Sequence, residues 1–391
     1  MSRINNRRAI ESLMLARVIY AVNWYNFAAV FTFVARDMNQ NVSGLGIVVG
    51  SFYLGAAIFQ IPGGLLAAKI GPKKTAVYGT LLASAAAFLT SLSTNLVQII
   101  VLRFVVGAGM AFVFAPGVIL VAKYFREQAE GFSVGLFNAA FYLGGALGIF
   151  GWTVLADVWG WRESVAISGG VGILTGVLML ALVPRDSIRE DFAMELLEIR
   201  RIISSRWLFL LGLGMFGVTA FSSLITGFMV YYLHNSLGAS AVLAGSVGAL
   251  ALLASLFGSP LFGALHDRVH NPARLMFLCG LTGIAGLELA SIMNVPAAML
   301  SNLIVGFAAG GTVTVGFSAA RELAHAEYET LAVSCINSTQ LFAGFFFPPI
   351  FSATVLSFGY SWAWALSGLY VFPFIGAILL SKFRIFAGKS S

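Results

Sequence analysis

Three charged residues stand inside long apolar stretches of the sequence: Arg17, Arg103 and Glu288. A charge at the centre of a hydrocarbon layer costs roughly 2.5–3.5 kcal/mol on insertion scales, so each is a functional candidate. An arginine presents a planar fork of N–H donors that matches a carboxylate. Arg103, and less strongly Arg17, are therefore candidate anion-binding residues. Structural alternatives stay open: Arg103 can bind backbone carbonyls, Arg17 can reach toward lipid phosphates, and Glu288 can form a structural hydrogen bond rather than carry a proton.

Uncharged polar residues recur within the same apolar stretches. Asn138 with Tyr142, and Asn337 with Gln340, are about one helical turn apart and would share a helix face. Such groups can hydrogen-bond a polar solute, or they can join helices within a membrane. The candidate solute-binding residues are Arg17, Asn23, Asn26, Arg103, Asn138, Tyr142, Asn302, Asn337 and Gln340.

Long apolar runs must position these residues. Hydrophobic residues make up 59% of the chain and charged residues only 10%, against roughly 25% charged residues in a soluble domain. Runs of about 20 apolar residues recur, each long enough to cross the hydrocarbon layer as a helix. The first run is followed by many others, so it is not a signal peptide. The predicted spans are 11–35, 44–68, 74–94, 96–123, 130–156, 163–184, 206–233, 241–265, 273–293, 296–320, 330–356 and 360–382.

Motifs of other functional classes are missing from the sequence. Cys279 and Cys335 lie inside apolar runs and the four histidines are scattered singly, which predicts no metal site. No nucleophile triad, zinc motif or phosphate loop occurs, so we expect neither an enzyme nor a cofactor. The formal net charge of +7 is explained better by membrane topology than by nucleic-acid binding.

Lysine and arginine cluster on one side of the predicted spans. The N-terminal tail and the connections after the second and fourth spans are basic, whereas the connections on the other side hold only Arg36 and Arg162. By the positive-inside rule, both termini are cytoplasmic. We expect a multi-pass protein of the cell membrane, in contact with the lipid bilayer.

A polar stretch of mixed charge divides the chain into two similar halves. We assign residues 1–184 to an N-terminal six-helix bundle, 185–205 to a cytoplasmic linker and 206–391 to a C-terminal six-helix bundle. A constant shift of 199 residues superposes Gly107 on Gly306. The same shift pairs Gly64 with Gly263, Gly117 with Gly316, Asn138 with Asn337, Gly160 with Gly359 and Arg103 with Asn302. Parallel duplication of this kind is typical of transporters whose site lies between the halves.

Four motifs resemble those of the major facilitator superfamily. Residues 60–74 (QIPGGLLAAKIGPKK) resemble its loop signature G-x-x-x-D-R-x-G-x-R-R, and residues 263–268 (GALHDR) repeat it in part. Residues 103–109 (RFVVGAG) resemble its fourth-span motif, and residues 159–162 (WGWR) its entry to the sixth span. The resemblance covers essentially the whole chain. It implies an all-α membrane protein of twelve transmembrane helices, in two pseudo-symmetric six-helix bundles that rock about a central cavity.

The resemblance also implies a gate at the cytoplasmic ends of the helices. Ala68 stands where the loop signature has an acid, so that locking role would fall to Asp267. Met110 stands where many organic-anion symporters have an acid, and Ile149 replaces the proline of the antiporter signature. The candidate gating residues, which would pair in one state and part in the other, are Lys69, Lys73, Lys74, Asp267, Arg268 and Arg321.

These observations favour a secondary transporter of a small organic anion such as a carboxylate. Three features indicate that the solute is negatively charged. The spans hold two arginines, they hold few acids to offset them, and the resemblance is nearest to the organic-anion branches. Proton coupling stays open, since no cavity acid is evident and a protonated solute would serve instead. An efflux antiporter for apolar or cationic compounds is one alternative, and a receptor that binds solute without moving it is another. We expect a monomer.

Overall fold

Helices make up nearly all of the described residues. The computed structural model describes residues 3–124, 130–184, 204–269, 271–323 and 329–380. The proposed linker therefore lies outside the described residues, apart from 204 and 205. The eleven helices of the described chain are α1 (Arg3–Asp37), α2 (Val42–Ile70), α3 (Pro72–Thr90), α4 (Leu96–Tyr124), α5 (Glu130–Trp159), α6 (Trp161–Leu182), α7 (Arg206–Ser236), α8 (Ala241–Val269), α9 (Pro272–Ala290), α10 (Val295–Glu322) and α11 (Glu329–Leu380).

Ten of the helices in the described residues are long and apolar enough to cross a membrane, all except α3. Two of the first three residues of α3 are lysines, and its buried face carries Thr75, Thr80 and Ser84. These polar residues lower its apolar content, although the sequence predicts a span at 74–94. The multiple long apolar helices make this chain a multi-pass membrane protein.

The last helix, α11, contains two of the twelve predicted spans. The expected spans 330–356 and 360–382 run together as α11, whose 52 residues are broken at Gly359. Gly359 has a φ of 82°, a conformation that glycine adopts without steric cost. Gly160, 199 residues earlier, has a φ of 97° and separates α5 from α6. Of the eleven helices in the described residues, α11 alone is interrupted in this way, and its two limbs stand where two spans were predicted.

The two halves repeat one close helix contact. A Cβ on Gly107 of α4 would strike the carbonyl oxygen of Phe52 of α2. A Cβ on Gly306 of α10 would strike the carbonyl oxygen of Ala251 of α8. Both members of the second pair follow those of the first by 199 residues, which is the shift found in the sequence. Small residues that let two backbones approach closely are a common means of packing helices within a membrane.

The halves meet along three helix pairs. α2 packs on the first limb of α11, α5 on α8, and α1 on α7. Residues 69–74 and the first residues of α1 and α7 lie at one end of the bundle, which we call the basic face. The end where α1 and α7 finish, at Asp37 and Ser236, is the far face.

Candidate functional site

A cavity of about 500 Å³ lies between the two halves. Its wall comes from α1, α2, α4 and α5 of the first half, and from α7, α8, α10 and the first limb of α11. Among the described residues none of its lining belongs to α3, α6 or α9, so Glu288 on α9 lies outside it. The lining extends to Arg321 in the last turn of α10, so the cavity reaches the basic face. On α1, α2 and α7, the lining residues nearest the far face are Tyr25, Tyr53 and Thr226.

Contacts between α1 and α7 close the far face. Asn235 donates a hydrogen bond to Oγ1 of Thr32 at 3.1 Å. Nη2 of Arg36 lies 2.9 Å from Nε2 of His234, and Nδ1 of His234 lies 2.9 Å from the carbonyl oxygen of Ala239. Since arginine only donates and a carbonyl only accepts, these contacts need Nε2 of His234 as acceptor and Nδ1 as donor. The cavity is therefore open toward the basic face and closed toward the far face.

Arg17 is the buried cation of the cavity wall. Its side chain is only 3% exposed. Its guanidinium carbon lies 4.7, 5.3, 4.5 and 4.5 Å from the ring centroids of Tyr20, Phe114, Phe137 and Phe141. Within the described chain, Nε and Nη1 have no hydrogen-bond partner. Cation–π attraction offsets part of the cost of burying this charge, at about 0.5–2 kcal/mol per ring. An anion in the cavity would supply the missing opposite charge.

Neutral polar groups face the same cavity from the other half. Oγ1 of Thr219 on α7 donates to Oε1 of Gln340 at 3.2 Å, and Nε2 of Gln340 donates to Oδ1 of Asn337 at 2.6 Å. Asn138 and Tyr142 line the opposite wall from α5. Five of the nine predicted binding residues, counting Arg17, therefore surround one cavity.

Arg103 lies outside the lining of this cavity, in contrast to the expectation from sequence. It is 4% exposed, and its Nη1 and Nη2 donate to the backbone carbonyl oxygens of Asn23 and Trp24 at 3.1 and 3.4 Å. Its guanidinium carbon lies 4.6 Å from the ring of Phe52 and 5.3 Å from that of Phe27. These contacts join α4 to α1 and α2. Arg103 also borders a much smaller cavity on the far-face side of the aromatic layer.

Three predicted asparagines also lie outside the lining, two of them in contact with a neighbouring helix and one hydrogen-bonded within its own helix. Nδ2 of Asn26 donates to Oγ of Ser168 at 2.8 Å, and Nδ2 of Asn23 is 3.4 Å from the Ser168 carbonyl oxygen. Nδ2 of Asn302 donates to the Ala298 carbonyl oxygen within α10 at 2.8 Å. The helical spacing of α1 explains the first two, because the face toward α6 is not the face that carries Arg17.

Aromatic side chains form much of the first half's wall, although Tyr142 is the one aromatic residue among the predicted binding residues. Trp24 lies at the centre of this layer, with its ring centroid 5.6 Å from Tyr20, 5.7 Å from Tyr53 and 6.1 Å from Phe141. The signal in the sequence was the spacing of Tyr20 and Trp24, three and seven residues after Arg17. That spacing puts all three on one face of α1.

The predicted gating lysines lie at the basic face. Lys69 and Lys74 are exposed. Lys73 is buried, and its Nζ donates to the carbonyl oxygen of Leu180 at the end of α6, at 2.9 Å. This hydrogen bond lies within the first half.

The second half's gating candidates lie at the same face. Arg268 is exposed, and Arg321 lines the mouth of the cavity. The side chain of Asp267 lies outside the described residues. The neighbouring His266 contacts Glu322, with Nε2 3.2 Å from Oε1, which joins the ends of α8 and α10 within one half.

Comparisons with known proteins agree with this architecture. The chain is 29% identical to the "Probable sulfoacetate transporter" of Cupriavidus necator, over 69% of this chain and 67% of that protein. It is 26% identical to the "Probable galactarate/D-glucarate transporter" of Escherichia coli K12, over 65% and 66%. An inward-facing, occupied crystal structure of a bacterial homolog of the human lysosomal transporter Spinster superposes with a TM-score of 0.82 at 14% identity, covering 97% of both chains. The Major Facilitator Superfamily model matches residues 13–290 and 211–385, and the chain belongs to that superfamily.

Proposed function

We propose that this protein is a secondary transporter that carries a small organic anion across the membrane by alternating access. The observation that supports this most directly is Arg17, a buried guanidinium in the wall of the cavity between the halves, two of whose nitrogens have no partner among the described residues. Relatives named for sulfoacetate and for galactarate or glucarate support an organic anion as cargo.

The proposed solute site combines Arg17, Asn138 and Tyr142 of the first half with Asn337 and Gln340 of the second. A solute that contacts both walls can favour one arrangement of the halves over another, which is the physical requirement for alternating access. For Arg103, Asn23 and Asn26 we propose helix-joining roles, because each donates to a neighbouring helix. For Asn302 we propose a structural role within α10, because it donates to its own helix backbone.

The topology follows from the positive-inside rule. We propose that the basic face, both termini and the linker at 185–205 are cytoplasmic, in the cell membrane. The open cavity would then be the inward-facing state. Closure of the basic face would bring Lys69, Lys74, Arg268 and Arg321 toward the opposite half, where we propose that they act with Asp267 as the gate. We propose a monomer, since one chain encloses the whole cavity.

Coupling to protons, if present, would run through the solute. No Asp or Glu lines the cavity within the described residues. A carboxylic acid solute can carry its own proton, so we propose that proton coupling takes this form. The site's chemistry is that of binding rather than of catalysis.

The test is binding to the purified protein in detergent, read as a shift in melting temperature. Ligands at about 100 times their Kd stabilise by about 2.7 kcal/mol. We expect organic anions to raise the Tm of the native chain, and we expect Arg17→Gln to abolish that shift. Arg17→Lys keeps the charge but not the planar fork, so it should retain part of it. Arg206→Gln is the matched control, because Arg206 is exposed at the basic face and stacks on Trp207.

Three results would contradict the proposal. Stabilisation by lipophilic cations alone would favour the efflux alternative, for which the aromatic wall is the supporting feature. Stabilisation by an anion without uptake into proteoliposomes would favour a receptor. An Arg17→Gln variant that responds as the native chain does would remove Arg17 from the site.

A further inference from the structure

The charges around the central cavity limit the charge of its solute. Arg17 is 3% exposed, whereas Arg321, the other cation of the lining within the described chain, is exposed at the basic face. Removing an ionised group from water is costly unless an opposite charge meets it at close range. One buried guanidinium can meet one anionic group. A second anionic group, deeper in the cavity, would be left without a counter-charge.

The wall beside Arg17 is suited to a flat ring. Tyr20, Trp24 and Phe141 pack together with centroid distances of 5.6, 6.0 and 6.1 Å. The ring of Phe141 also lies 4.5 Å from the Arg17 guanidinium carbon, so the aromatic surface is adjacent to the charged group. Aromatic rings attract each other in offset and edge-to-face arrangements beyond the effect of area burial. A ring attached to an anion at Arg17 would therefore lie against these side chains.

The second half offers neutral hydrogen-bonding groups. Gln340 uses its Oε1 to accept from Thr219 and its Nε2 to donate to Oδ1 of Asn337. The hydrogen bond from Gln340 fixes the orientation of the Asn337 amide, whose Nδ2 is then a donor for the solute. Such a donor matches an uncharged oxygen on the solute, such as a hydroxyl or a carbonyl.

From these three features we infer that the solute is an aromatic monoanion. Its single carboxylate or sulfonate pairs with Arg17, its ring lies against Tyr20, Trp24 and Phe141, and an uncharged oxygen faces Asn337. The inference rests on the proposed function and narrows it. It sets this chain apart from its named relatives, since sulfoacetate and galactarate each carry two anionic groups and no ring.

Matched ligands test the inference on the native chain by calorimetry in detergent. Cyclohexanecarboxylate has the charge of 4-hydroxybenzoate without the aromatic face, and terephthalate has the ring with a second charge. We expect the Kd of 4-hydroxybenzoate to be about tenfold below those of terephthalate, galactarate and sulfoacetate, as one unpaired charge implies. Tighter binding of galactarate or sulfoacetate would overturn the inference and leave the proposed function standing. Failure of every anion to bind would overturn both.

A wall variant tests the ring contact separately. In Trp24→Leu we expect the Kd of 4-hydroxybenzoate to rise about tenfold and that of cyclohexanecarboxylate to change by no more than about twofold. Phe257→Leu is the control, because Phe257 is 69% exposed on α8 and does not line the cavity. An unchanged ratio of the two Kd values would overturn the inference. If Trp24→Leu does not fold, Phe141→Leu replaces it, with the same expected ratio.

Discussion

The two buried arginines of the first half differ in what their guanidinium groups contact. Arg103 donates to the backbone carbonyl oxygens of Asn23 and Trp24 in α1, and both are strong acceptors. Arg17 has four aromatic rings around it and two nitrogens without partners among the described residues. The same side chain thus donates to backbone carbonyl oxygens at one position, and at the other it lies among aromatic rings in the wall of the cavity.

Replacing Arg103 should therefore affect stability more than solute binding. Arg103→Gln removes charge-assisted hydrogen bonds, each contributing about 1.5–3 kcal/mol, so we expect a lower Tm. The Kd of the remaining folded protein for an organic anion should stay within about threefold of the native value, well under the tenfold that 1.4 kcal/mol represents. Thermal unfolding and calorimetry on the same sample measure both. Lost binding at an unchanged Tm would instead restore Arg103 as the anion site predicted from the motif.

At the scale of single residues, the sequence identified the charges but not the directions in which they point. Arg17, Asn138, Tyr142, Asn337 and Gln340 were predicted as binding residues and line the cavity. The direction of a side chain depends on how its helix is rotated about its own axis, and that rotation is set by packing against neighbours. Apolar residues surround these helices on all sides, so the hydrophobic pattern does not indicate the rotation.

At the scale of helices, the close approach of backbones at two equivalent glycines is a testable part of the repeat. Gly107→Ala and Gly306→Ala should each destabilise by about 1–3 kcal/mol, because the added methyl meets a backbone carbonyl rather than a movable side chain. Gly151→Ala is the control, since nothing lies within 4 Å of its Cβ position. There the helix propensity of alanine should leave stability unchanged or raise it by up to about 1 kcal/mol.

Melting temperatures of the three variants in one detergent decide this prediction. Equal losses at Gly107 and Gly306 would support equivalent packing in the two halves. A loss at only one of them would mean that the 199-residue relation does not extend to this contact. A gain at both would show that α2–α4 and α8–α10 separate easily.

Helix existence was predictable because apolar runs of this length have few other solutions in a membrane. Two helix boundaries were predictable as well, since Gly160 and Gly359 have similar positive φ values and each lies in the gap between two predicted spans. α3 was predicted as a span from its apolar residues, although its lysines and buried hydroxyl groups leave it short of the apolar content of the other ten helices.

At the scale of the whole molecule, the far face is closed by a small number of polar contacts between the halves. Arg36 and His234, together with Thr32 and Asn235, join α1 to α7. A hydrogen bond contributes only about 0.5–1.5 kcal/mol, which corresponds to about a two- to tenfold change in a two-state equilibrium. Contacts of this size hold one face closed while leaving the alternative arrangement within reach of thermal motion and solute binding.

Removing Arg36 should therefore open the far face more often. Thr226 borders both the central cavity and the smaller one beyond the aromatic layer. A chain with Cys279→Ser, Cys335→Ser and Thr226→Cys, in vesicles of known orientation, should react with an impermeant maleimide from the basic face and only slowly from the far face. Adding Arg36→Ala should raise the far-face rate about two- to tenfold, since one inter-half contact is lost. Arg162→Ala is the matched control, because Arg162 contacts Asp37 within the first half.

Equal far-face rates with and without Arg36 would mean that the contact between Arg36 and His234 does not hold the far face closed. The apolar packing of α2 against α11, and of α5 against α8, would then carry the closure alone.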